Sequence, residues 1–223
     1  MWPSETADLI SLQERLRNEN GPRLEFNPGA GIGACFVCFG RHAAGPGTAG
    51  DAGWAAAAVT RHGRQTAGVA VTGTAAGPYH PGLLAIREGT LLCMAVTALP
   101  SLPQVLLVDA TGRDHPRRAG LAVHLGAAIG VPTVGVTHRP LLAQGEWPAD
   151  IEGAWSPLLL DDEEVGRWLC TRAGARPVAV HGAWGTDPDL AVEVVMAATS
   201  GARTPEPLRA ARRIARRARA TAS

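Results

Sequence analysis

The chain has 223 residues, 46% of them hydrophobic, enough for one substantial core, and a formal net charge of +1 that argues for no particular polyelectrolyte partner. All 21 basic residues are Arg, which excludes Schiff-base and lysine-base chemistry, and the four Cys (35, 38, 93 and 170) lack the spacing of a small disulfide framework. No run reaches the roughly 20 apolar residues of a membrane span, and Met1 to Glu19 carries no apolar signal segment, so a cytoplasmic, soluble protein is expected.

Leu9, Ile10, Leu12 and Leu16 recur at helical spacing and predict a first helix from about Glu5 to Arg17. Gly31 to Phe39 reads as a core strand, and Gly40 to Gly53 as a Gly/Ala/Pro-rich connection. Two further β-leaning runs, around Trp54 to Thr60 and Thr66 to Thr72, complete an antiparallel meander. Pro78 to Gly82 is a rigid turn before a helix over Leu83 to Thr97. Strands are then predicted at 105–109, 132–137, near 166–171 and at 177–181, with helices at about 117–129 and 188–199. Three antiparallel strands followed by parallel βα units, flanked by helices, describe an α/β, ribonuclease-H-like mixed sheet. One domain is expected over residues 1–207, followed by an Arg/Ala-rich helix or tail over 208–223 that holds six Arg between Arg209 and Arg219. That run reads either as a solvated face or as a phosphate-contacting arm.

Chemistry gathers at the strand ends. Asp109 closes a short apolar strand, where open α/β sheets place their sites. Glu88 lies on the helix from Leu83, sharing its face with Leu84, Leu91 and Leu92, so it is either met by a cation, a metal or a hydrogen-bond donor or is a boundary carboxylate paired with Arg87 or Arg117. Tyr79-His80-Pro81-Gly82, Arg87-Glu88 and the run Val108-Asp109-Ala110-Thr111-Gly112-Arg113-Asp114-His115-Pro116-Arg117 together resemble the endonuclease V family. Members of that family cut nucleic acid beside deoxyinosine or inosine with Mg²⁺. The resemblance implies an inserted wedge at Tyr79, Pro81 and Gly82, a metal-supporting Glu88, a metal-binding Asp109, and site roles for Gly112, His115 and Arg117. Ala110 replaces a family Gly and would narrow the lesion-base pocket.

Several positions depart from the family pattern. Matching Ala30 to Phe36 without a gap puts Gly33 at the family's metal-binding Asp of the first strand. His138 stands where the family has a Lys. Ungapped matching of Pro177 to Gly185 puts Trp184 at a late family His, whereas a gapped one puts His181 there. Two residues along from Gly33, Cys35 points the same way. With Asp109, His115 and His138 it completes the parts of a thiol nucleophile, imidazole base and orienting carboxylate, although a buried Cys that merely packs is the commoner case.

Three functions follow. The first is a repurposed enzyme of this cleft, using Cys35, Glu88, Asp109, His115 and His138 on a small molecule or on an acyl- or amide-type bond. The second is an altered Mg²⁺-dependent endonuclease, its metal held weakly by Asp109 and Glu88. The third is a non-catalytic binder of single- or double-stranded, inosine-containing nucleic acid. Substrate contacts are expected from Tyr79, Pro81, Gly82, Gly112, Arg117 and Trp184.

Overall fold

The described residues, 2–40 and 45–222 of a computed structural model, build one eight-stranded mixed sheet between two helical layers. Residues 41–44 of the expected Gly40 to Gly53 connection lie outside the described residues. A first helix, α1 (Thr6–Leu16), precedes the meander β1 (Ile32–Phe39), β2 (Ala52–Arg61) and β3 (Arg64–Thr74). Then come α2 (Leu84–Thr97), β4 (Val105–Val108), α3 (Leu121–Ile129) and β5 (Thr133–Thr137). The hairpin β6 (Trp155–Leu160) and β7 (Glu163–Leu169), β8 (Val178–Gly182), α4 (Pro188–Ala197) and α5 (Glu206–Thr221) complete the chain. The sheet order is β3-β2-β1-β4-β5-β8-β7-β6.

β1, β4 and β5 are mutually parallel, and β8 returns antiparallel to β5. Side chains alternate across β1 and β4, as strand geometry requires. Cys35, Leu106 and Val108 face α2 and α3, whereas Ala34, Val105 and Leu107 face α4 and the start of α5. A sheet buried on both faces reads as an unbroken apolar run, and Ala55 to Ala58 of β2 are all fully buried.

Three local features differ from the sequence expectation. The strand at β6 is additional, and its hairpin turns through Asp161 and Asp162, both at positive φ (53° and 63°), the conformation of a two-residue primed turn. Pro157 hides it, because proline argues against a central strand but is tolerated on an edge. α3 starts at Leu121 rather than near 117, because Arg118 sits at φ 53° and breaks the helical path. The C-terminal Arg run is not a free tail. α5 packs along β1, β2 and β3, burying Leu208, Ala210, Ala211 and Ala215.

Candidate functional site

Asp109 follows the last residue of β4, and the amide of Ala110 turns back onto the Val108 carbonyl (2.8 Å). The carboxylate is thereby lifted out of the sheet into a cleft with two parts. On one side a cavity of about 290 Å³ is lined by Gln13, Tyr79, Gly82, Ala110, Thr111, His115, Thr137 and Leu141, among others. On the other, a cavity of about 190 Å³ is lined by Cys35, Phe36, Tyr79, Glu88 and Asp109. Gly112 is needed for packing rather than for ligand contact. A Cβ there would lie 2.2 Å from the Gly182 carbonyl oxygen, so the loop after β4 passes β8 too closely for any side chain.

The turn at 79–82 is fixed from three directions. The Gly82 carbonyl accepts hydrogen bonds from His115 Nε2 (3.0 Å), Arg117 Nη2 (3.0 Å) and Gln13 Nε2 (3.1 Å), and Arg117 Nε donates to Gln13 Oε1 (2.7 Å). His115 Nδ1 accepts from the Arg117 amide (3.2 Å), which assigns the proton to Nε2. Burial then holds this imidazole neutral, its pKa lowered to about 4 against the opposing pull of the Gly82 contact. Sequence reasoning expected His115 in catalysis and Arg117 in substrate contact. Both are instead spent on positioning the turn, which leaves Tyr79 44% exposed at the mouth of the larger cavity. Gln13, only 1% exposed, escaped sequence reading; its signal was a polar residue on the Leu9–Leu16 stripe of α1.

Glu88 and Cys35 both reach the smaller cavity, as expected. Arg87 does not pair with Glu88. It donates to Asp51 (2.8 Å) and to the Gly77 carbonyl (2.9 Å) and lies over the Phe39 ring. Burial first, then the Asp109 carboxylate, push Glu88 up to about 8. Its folded value thus lies above the ordinary 4.5, so no stability is lost below pH 4.5 and the loss accumulates as pH rises through about 8. Glu88→Gln is therefore expected to stabilise the protein at pH 8 by about 2 kcal/mol, a figure reduced for the partial exposure of the side chain. Urea unfolding at pH 4 and pH 8 checks this: the gain should vanish at the lower pH.

The register of β1 corrects the sequence match. Gly33 pairs with Leu106, and a Cβ on it would meet Pro103 Cγ at 2.5 Å, on the same face as Cys35 but two residues further from the strand end that carries Asp109. Cys35 pairs with Val108, one step before Asp109, and it is Cys35 that faces Glu88 and Asp109. The first-strand position beside the two carboxylates is thus held by a thiol. That thiol is fully buried, and desolvation, then Glu88 and Asp109, push it far above the ordinary thiol range. Among the described residues it hydrogen-bonds no imidazole, and His115 is engaged elsewhere. The thiol–imidazole pair expected for nucleophilic catalysis is not assembled, and a thiol held protonated is a poor nucleophile.

Asp109 has a partner that sequence reading missed. Arg212 of α5 donates from Nη2 to its Oδ2 at 2.8 Å, with both side chains largely covered. Arg212 and Arg216 also lie over the Phe36 ring, at 5.5 and 5.7 Å from its centroid. His138 reaches this end of the sheet as expected, but partial desolvation and the nearby Arg203 and Arg212 lower its pKa, against Asp109. The positive charge paired directly with Asp109 is that of Arg212. The signal for Arg212 was the Leu208–Ala211–Ala215 stripe, which puts residue 212 at the border of the buried face of α5.

Trp184 is not brought to the cleft. Its ring packs on Gly21 and its Cβ lies against Gly126, in a separate groove with Trp2 and His124. His181 is closer. It is fully buried, with Nε2 3.1 Å from Thr137 Oγ1, and the Thr137 hydroxyl donates to the Arg139 carbonyl (2.8 Å). Asp114, also unremarked in the sequence, is fully buried and accepts from the amides of Leu141 (2.5 Å), Leu142 (2.8 Å) and Ala143 (2.8 Å). Thr137 and Asp114 thereby clamp the 139–143 loop that walls the larger cavity.

Comparison with known proteins agrees with this architecture. The endonuclease V family profile matches residues 43–213, a span that begins after β1. Endonuclease V of Streptomyces avermitilis is 43% identical over 141 residues, covering 63% of this chain and 62% of that protein, so the aligned part spans less than two thirds of the relative. A crystal structure of endonuclease V from the same organism superimposes with a TM-score of 0.86 at 35% identity, covering 99% of this chain and 96% of that one. The catalytic domain of human endonuclease V gives a TM-score of 0.83 at 26% identity, covering 99% and 98%. Endonuclease V of Ciona intestinalis, solved with a 24mer DNA containing an inosine followed by a ribo-adenosine, shares the fold with a TM-score of 0.78 at 21% identity over 97% of this chain and 98% of that one. With the wedge-like turn, the strand-end Asp109 and the helical Glu88 in one cleft, and with most of its length matched, this chain belongs to the endonuclease V family.

Proposed function

We propose that this protein binds nucleic acid carrying inosine or a similarly altered base, seats that base in the cavity beside Asp109, and does not cleave the strand with Mg²⁺. The observation that carries the reading is the contrast within one cleft. The Tyr79-to-Gly82 turn is pinned by three donors on a single carbonyl at the mouth of the base-sized cavity, while the Asp109 carboxylate is already paired with Arg212.

The donor set does not fit a hard divalent cation. Mg²⁺ takes octahedral oxygen ligands and neutralises anionic groups. Here the position next to Glu88 and Asp109 is a buried thiol, and a guanidinium sits on Asp109. Among the described residues no group of three or more His, Cys, Asp or Glu is arranged around a metal position. The Ciona relative in complex with inosine-containing DNA supports the class of ligand.

Fluorescence anisotropy with an inosine-bearing oligonucleotide and its guanosine counterpart tests the proposal. The inosine strand should bind more tightly in EDTA. Tyr79→Ala should lose about tenfold in affinity, the worth of one base–aromatic stack. Equal affinity for the two strands, or a Tyr79→Ala variant that binds unchanged, would count against it.

A further inference from the structure

We infer that the Arg212 guanidinium, seated on Asp109, takes the place a divalent cation would hold and meets the backbone phosphate of a bound strand directly. The phosphate contact rests on the nucleic-acid-binding reading above; the seat on Asp109 does not.

Three features of the structure converge on this residue. The Arg212–Asp109 contact is a short ion pair (2.8 Å) at the end of β4, and its acid, Asp109, lines both parts of the cleft. α5 is a rigid platform, buried through Leu208, Ala211 and Ala215, so the guanidinium is delivered by the packed helix that carries it. The cluster around it is cationic in excess, since Arg203 and Arg212 lie close enough to repel one another and both oppose Asp109 at His138. Other arginines of the helix are engaged differently: Arg209 and Arg213 both pair with Glu206.

A planar guanidinium offers five donors in a fixed fork. One Nη of Arg212 is committed to Asp109 Oδ2. Its Nε is buried and has no hydrogen-bond partner, while 19% of the side chain stays exposed, and phosphate oxygens are the acceptors that a guanidinium fork matches. A metal ion would bridge a carboxylate and a phosphate with one charge centre; Arg212 can do the same with separate N–H groups. Such a bridge positions the strand and activates no water, in keeping with binding without cleavage.

Two measurements decide the inference. Electron paramagnetic resonance of Mn²⁺ should show no binding to the wild-type protein at millimolar metal. Cys35→Asp should remain weak, and Cys35→Asp/Arg212→Ala should bind at least tenfold more tightly than Cys35→Asp, because the competing cation is gone. Tight Mn²⁺ binding to the wild type, or equal binding by the two variants, overturns the substitution. Separately, in EDTA, Arg212→Ala should weaken binding of the inosine strand about tenfold and reduce the log–log salt slope by about 1, whereas Arg213→Ala should move it less. Arg212→Gln, checked by thermal unfolding, replaces Arg212→Ala if the alanine variant does not fold. A wild-type protein that binds no nucleic acid sinks both the function proposed above and the phosphate contact, leaving Mn²⁺ resonance to judge the seat on Asp109. Binding that survives intact in Arg212→Ala sinks the phosphate contact alone.

Discussion

Gly33→Asp is expected to destabilise the protein by about 3 kcal/mol and to confer no response to Mg²⁺. The first atom of the new side chain would lie 2.5 Å from Pro103 Cγ and 3.3 Å from Leu106 Cδ1. Overpacking of that kind costs about 1–3 kcal/mol, and a carboxylate buried there without a partner adds to it. For a chain of this size the loss corresponds to a fall in Tm of roughly 6–12 °C. Cys35→Asp is the informative counterpart, since residue 35 faces Glu88 and Asp109. Thermal unfolding of the two variants with and without Mg²⁺ separates the positions. A Gly33→Asp protein as stable as wild type, or one stabilised by Mg²⁺, would contradict the register of β1.

Asp114→Ala should be comparably damaging. One buried carboxylate takes three backbone amides from the 141–143 segment. Removing it strands donors that each cost about 1–3 kcal/mol when buried without a partner; with some relief from water, a loss of about 3 kcal/mol is expected. Asp114→Asn keeps the volume but replaces one acceptor with a donor, so it should fall between. Hydrogen exchange gives a local readout: the amides of residues 141–143 should exchange much faster in Asp114→Ala, while those of β4 keep their order relative to the rest of the sheet. Because this loop walls the larger cavity, affinity for the inosine strand should drop along with its protection. Unchanged exchange at 141–143 would remove Asp114 from the account.

The meander, α2 and the strand ending in Asp109 were legible because their signals are local: alternation, helical spacing, and a turn that punctuates each end. The placement of Gly33 failed for a physical reason. A seven-residue match anchored on Gly31 and Phe36 says nothing about how β1 registers on β4, and a shift of two residues keeps every side chain on its face while moving it a full pleat. Cys35 opposite Val108 is a fact of sheet pairing, not of sequence. Arg212 was hidden among six similar arginines, and only the buried alanine stripe distinguishes it. Asp114 was invisible because its partners are backbone amides 27 to 29 residues away. Trp184 aligned with a family His, yet the loop after β8 carries it to the opposite side of α3 packing, against Gly126.

His115 carries a second lesson about the cleft. It sits in the expected motif and beside the expected cavity, but both ring nitrogens are engaged in the backbone of its neighbours. A motif residue retained in place can therefore serve the shape of a binding site without taking part in chemistry. The same holds for Arg117, which is bound to Gly82 and Gln13.

The most direct measurement is the affinity for an inosine-bearing strand in EDTA and in Mg²⁺, with strand integrity read from the same samples. Equal affinity in the two conditions and an intact strand are the predicted result. Binding strengthened tenfold by Mg²⁺, or a nicked strand accumulating over repeated turnovers, would contradict it.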